Sequence, residues 1–353
     1  MKILENRINK EVLKENLAKE TFKRQTISFY KYFDIKAPVD FRNQLYEQWF
    51  TLNCFGRIYV APEGINAQMS VPEDNMAEFI KQLYAIPQFT SVPIKQAIED
   101  DGKSFYKLTI KVRPKIVADG LENNTYDLSK VGKHLTALEF HNAIDEPGTI
   151  VVDMRNHYES EIGHFKNAFC PDVDTFRDEI QMVLEKYKDE KDKQFLLYCT
   201  GGIRCEKASS FLINNGFENV AQLYGGIIEY TQQIKKLNIN SKFYGKNFVF
   251  DERLDESVDG QVISKCHQCG KPADTHTNCA NNDCHLLFIQ CDHCKAKYEG
   301  CCSDECASVI QLPLDERIKL RAQYQQKYAD SKIFKNRLRP HLRSDLNKSS
   351  CNG

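Results

Sequence analysis

The chain has 353 residues, of which 41% are hydrophobic and 27% are charged, and its formal net charge is -1. This length exceeds what one hydrophobic core usually serves, so two or three domains are expected. No apolar run approaches the ~20 residues needed to cross a bilayer, and the N-terminal segment is too charged for the apolar stretch of a secretory signal. The sequence therefore predicts a cytoplasmic, multidomain globular protein without a membrane partner.

Charge and cysteine are both unevenly distributed. Residues 1–25 carry seven Lys/Arg and four Glu, and residues 316–348 carry ten Lys/Arg and three acidic residues. The net charge is therefore +3 at the start and +7 near the end, which leaves -11 for residues 26–315. Nine of the fourteen cysteines lie between Cys266 and Cys306. Because disulfides are rare in the cytosol, this clustering favours metal binding over cross-linking.

The N-terminal third alternates strand and helix patterns. β-branched and aromatic runs mark the strands, apolar residues at near-helical spacing mark the helices, and Pro62-Glu63-Gly64 is a turn signal. The predicted elements are a strand at 27–33, a helix at 39–53, two strands within 56–71, a helix at 73–86 and a strand at 105–112. This βαββαβ order predicts a ferredoxin-like domain.

The remainder of the chain has two further patterns. Short apolar runs at 149–155 and 194–199 are typical of strands buried in a parallel sheet, and they predict an α/β domain. A region rich in cysteine follows, which needs metal to fold, and then a basic helical stretch. The predicted limits are a basic helix at 1–25, the ferredoxin-like domain at 26–120, the α/β domain at 121–250, the cysteine-rich region at 251–312 and a basic helical tail at 313–353.

The segment from Cys199 to Arg204 follows a predicted buried strand and precedes a predicted helix. Gly201 and Gly202 permit the φ values that turn backbone N–H groups inward. The helix N-terminus and Arg204 would stabilise a thiolate, which lowers the pKa of Cys199 and makes it a nucleophile. A Cys-x5-Arg loop encloses a tetrahedral phosphate, whereas the shorter Cys-x4-Arg loop found here suits one sulfur atom carried as a persulfide.

This loop and its surroundings resemble the rhodanese superfamily. The stretches DMRNHYESEIGHFKNAFCP (153–171) and GFENVAQLYGGIIEY (216–230) extend the resemblance on both sides. The resemblance implies that Cys199 accepts sulfane sulfur within an active-site loop formed by Thr200, Gly201, Gly202 and Ile203. Asp153 and Arg155 would line or brace this site. Cys205 would either resolve a persulfide or simply begin the helix.

The clustered cysteines form four pairs. The expected ligands are Cys266 and Cys269, Cys279 and Cys284, Cys291 and Cys294, and Cys302 and Cys306. Such knuckles give closed tetrahedral thiolate sites, so the set predicts two structural zinc ions. The first and third pairs could share one ion and the second and fourth the other, and sequential pairing is the alternative.

One cysteine exceeds the eight ligands that two ions need. The string from Cys302 to Cys306 resembles a knuckle of other small zinc fingers, which favours Cys302 over Cys301. His267, His285 and His293 are alternative ligands or partners of the ligands.

The basic C-terminal stretch interleaves Lys and Arg with Tyr324, Tyr328 and Phe334. Lys and Arg bind phosphates and aromatic rings stack on unpaired bases, so RNA is an expected partner, with a merely solvated helix face as the alternative. The candidate RNA contacts are Arg317, Lys319, Arg321, Lys327, Lys335, Arg337 and Arg339.

The domain order and several motifs resemble the tRNA uridine 5-hydroxylase family. The matching motifs are YCTGGIRCEK, VAPEGIN, KVRPKIV, YGGI and GCCS, and the resemblance covers most of residues 26–310. It implies oxygen-dependent conversion of the wobble uridine of certain tRNAs to 5-hydroxyuridine, with Cys199 as the essential cysteine. It also implies dioxygen as co-substrate and the anticodon loop of tRNA, rather than DNA, as partner.

Three functions are therefore considered. The first is the tRNA hydroxylase, in which attack of the thiol on C6 of uracil would activate C5. The second is a rhodanese-type persulfide sulfurtransferase, which the loop chemistry favours when taken alone. The third is a non-enzymatic RNA-binding or zinc scaffold, against which the presence of Cys199 argues. The sequence contains no recognisable flavin or non-haem iron motif, so the electron donor is not identified from the residues.

Overall fold

The structure, a computed structural model, describes residues 4, 6, 8–122, 125–284 and 286–327. A short helix, α1 (Lys10–Ala18), precedes the first domain, and the side chain of Asn9 caps it by accepting a hydrogen bond from the N–H of Glu11. The first strand begins at Arg24. The helical part of the segment 1–25 is therefore shorter than the whole segment.

The N-terminal domain is a five-stranded sheet with two helices on one face. Its elements are β1 (Arg24–Tyr32), α2 (Pro38–Thr51), β2 (Phe55–Ala61), β3 (Gly64–Pro72), α3 (Met76–Tyr84), β4 (Lys95–Gln96) and β5 (Leu108–Val112). The strand order is β4-β1-β3-β2-β5. Side chains such as Phe29 and Ile58 pack with Trp49 of α2 and Phe79 of α3 in the core.

The predicted ferredoxin-like fold is confirmed, with one difference in its last strands. The strand at the edge of the sheet beside β1 is the two-residue strand β4, which is too short to give a periodic signal in the sequence. The strand predicted at 105–112 begins at Leu108 and pairs in parallel with β2 at the opposite edge.

The central domain has a parallel sheet between helices. Its elements are β6 (Lys133–Leu135), α4 (Ala137–Ala143), β7 (Ile150–Asp153), α5 (His157–Ser160), β8 (Gly163–Phe165), α6 (Phe176–Lys186), β9 (Gln194–Tyr198), α7 (Ile203–Asn214), β10 (Asn219–Leu223) and α8 (Gly226–Leu237). The parallel strands have the order β6-β10-β9-β7. One apolar core lies on each side of this sheet, which explains why its strands have continuous apolar sequences.

The C-terminal region is joined to the central domain through a small sheet. Its elements are β11 (Phe243–Phe248), β12 (Asp255–Ser257), β13 (His276–Asn278), β14 (Leu287–Ile289), α9 (Asp292–Lys297), α10 (Asp304–Gln311) and α11 (Leu314–Lys327). Strand β11 pairs with β8 of the central domain and with β12. Cysteines take the place of large apolar residues in two small cores here.

Two further predictions concern helices. The basic helical tail expected over 313–353 is helical from Leu314 to Lys327, and its later part lies outside the described residues. Within the described residues, no helix is both long enough and apolar enough to span a membrane. The domain limits given above remain predictions.

Candidate active site and metal centres

The loop that carries Cys199 joins β9 to α7. Strand β9 is an inner strand of the parallel sheet, so Cys199 lies where a buried strand meets a helix N-terminus. Gly202 has a φ of +98°, in the left-handed region that favours glycine. This conformation directs the N–H of Gly202 to the Sγ of Cys199, at 3.1 Å. The loop therefore surrounds the sulfur atom with hydrogen-bond donors.

The surroundings of Cys199 favour its thiolate form. Burial alone would raise the pKa of Cys199, but a hydrogen bond from the Cys205 thiol, the charge of Arg204 and the N–H groups of both residues lower it to about 6. Burial and the contact with Cys199 raise the pKa of Cys205 well above its usual value. At neutral pH these contacts favour the thiolate form of Cys199, with Cys205 as a neutral thiol that donates to it.

Arg204 is held by a buried carboxylate that the sequence analysis did not single out. Its Nη1 and Nη2 lie 2.6 and 2.8 Å from the two carboxylate oxygens of Glu159. Glu159 is fully buried and also closes a capping box with Asn156 at the start of α5. The Glu-x-x-x-Gly-His-Phe part of the rhodanese-like stretch contains this residue, so the signal was present in the sequence.

Asp153 and Arg155 brace the site from below. Arg155 donates two hydrogen bonds to Asp153, at 2.9 and 2.7 Å, and a third, at 2.6 Å, to the carbonyl of Gly163. The hydroxyl of Tyr198, the residue before Cys199, donates to Asp153 at 2.7 Å. All three side chains are buried, so Asp153 and Arg155 fix the end of β9 and do not line the cavity above Cys199.

The N-terminal domain holds the same loop from the opposite side. Tyr30 donates to Glu206 at 2.9 Å, and Tyr32 donates to the carbonyl of Ile203 at 3.2 Å. Lys207, which is fully buried in α7, donates to both carboxylate oxygens of Glu63, at 2.9 and 2.8 Å. Lys207 also contacts Asp119. The loop that carries Cys199 and the first turns of α7 are therefore supported by two domains.

A cavity of about 780 Å³ lies between Cys199 and the N-terminal sheet. The sheet face that lines it is opposite the apolar core, because side chains alternate between the faces of a strand. We refer to this wall as the polar sheet face, which consists of Ser28, Tyr30, Arg57, Tyr59, Asn66 and Gln68. In the strand register, Asn66 lies between Tyr30 and Tyr59. No signal in the sequence identifies these residues, because the cavity exists only once the two domains are joined.

The eight expected metal ligands form two groups. Cys266, Cys269, Cys291 and Cys294 make up the first group, and Cys279, Cys284, Cys302 and Cys306 the second, with all ligand atoms of a group within 4.8 Å of one another. Measured Sγ–Sγ distances include 3.6 Å in the first group and 3.7 Å in the second. A tetrahedron with metal–sulfur bonds of about 2.3 Å has edges of about 3.8 Å. Both groups therefore fit a tetrahedrally coordinated ion, in the crossed arrangement.

The remaining metal candidates lie outside these groups. Cys301 is fully buried but belongs to neither group. The imidazole of His267 lies 2.9 Å from the carboxylate of Glu161, at the end of α5 in the central domain. His293 is not part of either group, and His285 lies outside the described residues.

The candidate RNA contacts have different surroundings. Arg317 donates to the carbonyls of Leu312 and Ile310, at 2.8 and 2.6 Å, and so fixes the start of α11. Arg321 forms an ion pair with Asp283 at 2.8 Å. Lys319 is exposed, and Lys327 ends α11. Lys335, Arg337 and Arg339 lie outside the described residues, together with Tyr328 and Phe334.

Three family models match successive parts of the chain. The UPF0176 acylphosphatase like domain matches residues 24–116, the rhodanese-like domain matches 136–233, and the Rhodanase C-terminal model matches 244–307. These matches agree with the three-part architecture and with the rhodanese resemblance of the loop.

Curated relatives match over nearly the whole chain. The tRNA uridine(34) hydroxylase of Photorhabdus laumondii is 49% identical over 351 residues, which cover 99% of each chain. The protein of that name from Leptospira interrogans is 48% identical and covers 96% of this chain and 92% of its own. That from Yersinia enterocolitica is 51% identical over 91% of this chain and 92% of its own. The chain belongs to the tRNA uridine(34) hydroxylase family.

Proposed function

We propose that this protein hydroxylates uridine 34 of tRNA to 5-hydroxyuridine, with Cys199 as the nucleophile. The observation that carries the proposal is the position of this low-pKa thiol in a cavity walled by the polar sheet face. An enzyme that modifies a base must take it out of the stack, and unstacked bases are held by aromatic rings and by hydrogen bonds to their edges. Tyr30, Tyr59 and Asn66 offer both kinds of contact. The names of the relatives support the same reaction.

The proposed chemistry begins with addition of the Cys199 thiolate to C6 of the uracil. This addition makes C5 electron-rich and able to react with an oxidant. The N–H of Gly202, the Cys205 thiol and Arg204 keep the sulfur anionic before the attack. Dioxygen is the co-substrate that the family resemblance implies. One of its atoms enters the base, and a reductant must supply two electrons to convert the other to water.

Zinc is the proposed ion in both four-cysteine groups. Closed sets of four thiolates are typical of structural zinc, and they leave no open position for substrate. We assign these ions a purely structural role.

The proposed RNA partner is the anticodon loop of tRNA. The proposed location of the reaction is the cytoplasm. Lys319 and the basic residues that follow α11 would contact its phosphates. These contacts would be local, because the acidic middle of the chain disfavours general binding of nucleic acid.

The test is nucleoside mass spectrometry of tRNA from a deletion strain that carries plasmid copies of the gene. The wild-type copy should restore 5-hydroxyuridine, and Cys199→Ser should not. Cys170→Ser is the matched control, because it changes a half-buried thiol that does not line the cavity. Restoration of 5-hydroxyuridine by Cys199→Ser would refute the role of Cys199, and no difference between the deletion strain and the wild type would refute the function.

A persulfide sulfurtransferase is the second candidate. It is favoured by the N–H donors around a single sulfur atom in a Cys-x4-Arg loop. Rapid release of thiocyanate from thiosulfate and cyanide, without tRNA, would support it. The relatives' names favour the hydroxylase.

A further inference from the structure

Three cationic side chains line the cavity above Cys199, and two of them have partners in the protein. Arg204 is committed to Glu159 through its two short hydrogen bonds. Arg57 is exposed and donates to the carbonyl of Phe250 at 3.1 Å. The third is Lys95, which the sequence analysis did not single out.

The Lys95 side chain is mostly buried and contacts an aromatic ring, with no carboxylate beside its ammonium in the described residues. The residue is 7% exposed, and its Nζ lies 4.6 Å from the centre of the Tyr30 ring. Within the described part of the chain, this nitrogen makes no hydrogen bond and no ion pair of 4.0 Å or less. Burial lowers the pKa of Lys95 to about 8, although the negative charges of Cys199, Glu229 and Glu206 act to raise it. A cation that is held in a cavity without a hydrogen bond is costly, which marks Lys95 as a candidate functional residue.

Both neighbouring domains hold Lys95 in place. Its strand, β4, pairs with β1, where Ser28 lies opposite Lys95. The side-chain amide of Gln232 in α8 donates to the carbonyl of Gln96 at 2.7 Å, which ties β4 to the central domain. A cation on a supported strand is positioned accurately enough to act on a bound group.

We propose that Lys95 is a catalytic residue that binds O4 of the uracil and stabilises the enolate formed when Cys199 adds to C6. This inference rests on the proposed function and goes beyond it. In the addition, a sulfur electron pair forms the C6–S bond, the C5=C6 π pair becomes the C4=C5 π bond, and the C4=O4 π pair moves onto O4, which becomes negatively charged. The Lys95 ammonium donates a hydrogen bond to O4, and no electrons leave the base or the enzyme at this step.

A uracil carbonyl suits this position better than a phosphate does. The electrostatic neighbours of Lys95 are the Cys199 thiolate, Glu206 and Glu229, which together repel an anion that arrives already charged. Uracil is neutral on entry and gains its charge only during the reaction. A donor aimed at charge that develops in the transition state contributes directly to the rate.

The addition can be measured apart from the oxidation. When a thiol adds to C6 and is then eliminated, C5 is transiently protonated, so the hydrogen at C5 exchanges with water. The experiment therefore uses tRNA that carries tritium at C5 of its uridines, incubated with the full-length protein without dioxygen. Tritium released to water is counted at saturating tRNA, and tRNA affinity is measured in parallel.

We expect the wild-type protein to release tritium, and Lys95→Met to release it about 10²-fold more slowly, as on loss of an oxyanion donor. The affinity for tRNA should change far less. Lys95→Arg should restore part of the rate, because it retains a cation. Lys81→Met, the same change at an exposed helix position, should match the wild type, and Cys199→Ser should release none.

Three results would overturn the inference. The first is an equal rate of tritium release by Lys95→Met and the wild type, and the second is no release by the wild type. The third is a slower release by Lys95→Met that weaker tRNA binding explains entirely, as expected if Lys95 contacts a phosphate. The proposed function is tested separately by 5-hydroxyuridine in the complemented strain. A wild-type protein that restores this nucleoside without exchanging C5 hydrogen would refute the inference and leave the function standing.

Discussion

The carboxylate of Glu159 accepts hydrogen bonds from both terminal nitrogens of Arg204, with N···O distances of 2.6 and 2.8 Å. Glu159 is fully buried next to the Cys199 loop. The orientation of Arg204 is thus fixed by a carboxylate from another helix. The positive charge near Cys199 therefore depends on a residue that does not contact the sulfur.

Glu159→Gln should strongly destabilise the protein. It removes the carboxylate that is paired with the buried Arg204 guanidinium, which costs on the order of 3 kcal/mol or more in the free energy of unfolding. Calorimetric unfolding of the variant should show a clear fall in midpoint temperature. Glu185→Gln, which removes a carboxylate from an exposed pair with Lys188, is the control and should behave as wild type. Equal stability of the two variants would contradict the structural role of Glu159.

Alkylation of Cys199 should depend on pH with a midpoint near 6. The thiolate is the reactive form, so the rate should be low below this pH and constant well above it. Iodoacetamide labelling followed by peptide mapping separates Cys199 from the other cysteines. Arg204→Gln should move the midpoint upwards, because the variant loses a charge that favours the thiolate. A midpoint near 9 in the wild type would show that the loop does not activate the thiol.

Metal content should distinguish the adjacent residues Cys301 and Cys302. Cys302 belongs to the second four-cysteine group and Cys301 does not. Purified wild-type protein should contain two zinc ions per chain by elemental mass spectrometry. Cys302→Ser should contain about one, because three thiolates hold zinc less firmly than four. Cys301→Ser should keep both ions, and the reverse result would show that the ligand assignment is wrong.

Lys207→Met should weaken the contact between the N-terminal and central domains. Lys207 is the buried cation shared by Glu63 and Asp119, so its loss leaves negative charge uncompensated, at a cost of about 3 kcal/mol. The midpoint temperature of unfolding should fall, and 5-hydroxyuridine in the complemented strain should fall with it. Lys193→Met, in a half-exposed pair, is the matched control. Unchanged stability of Lys207→Met would mean that these contacts do not hold the domains together.

The salt dependence of tRNA binding should separate Lys319 from Arg317. Lys319 is exposed, whereas Arg317 is bound to two backbone carbonyls of its own chain. Lys319→Ala should reduce the slope of log K against log salt by about 0.7 to 0.9, the value for one phosphate contact. Arg317→Ala should leave the slope unchanged. Equal slopes for Lys319→Ala and wild type would exclude a phosphate contact by Lys319.

The sequence predicts well those features that depend on neighbouring residues. The strand, glycines and helix onset around Cys199 are adjacent in the chain, so the loop is visible without a structure. The same holds for the cysteine knuckles, whose spacing reflects ligand geometry. The two-residue strand β4 gives no periodic signal, and the predicted fourth strand is instead the fifth.

Features that depend on distant contacts could not be predicted. Lys95 is one lysine among many until the domains are joined, and Asn66 has no special meaning until Cys199 lies opposite it. Arg321 is of a residue type that commonly contacts RNA, but in the folded chain it forms an ion pair with Asp283. Charge patterns identify candidate surfaces, whereas the fold decides which side chains remain available.

The contact between His267 and Glu161 gives the metal region a second consequence. His267 follows the candidate ligand Cys266, and Glu161 is the C-cap residue of α5, two residues after Glu159. Loss of zinc would therefore weaken the contact that supports α5, the helix whose Glu159 orients Arg204. If Cys199 and Arg204 act as proposed, loss of the metal would lower 5-hydroxyuridine at the wobble position of tRNA, although no candidate thiolate ligand lines the cavity.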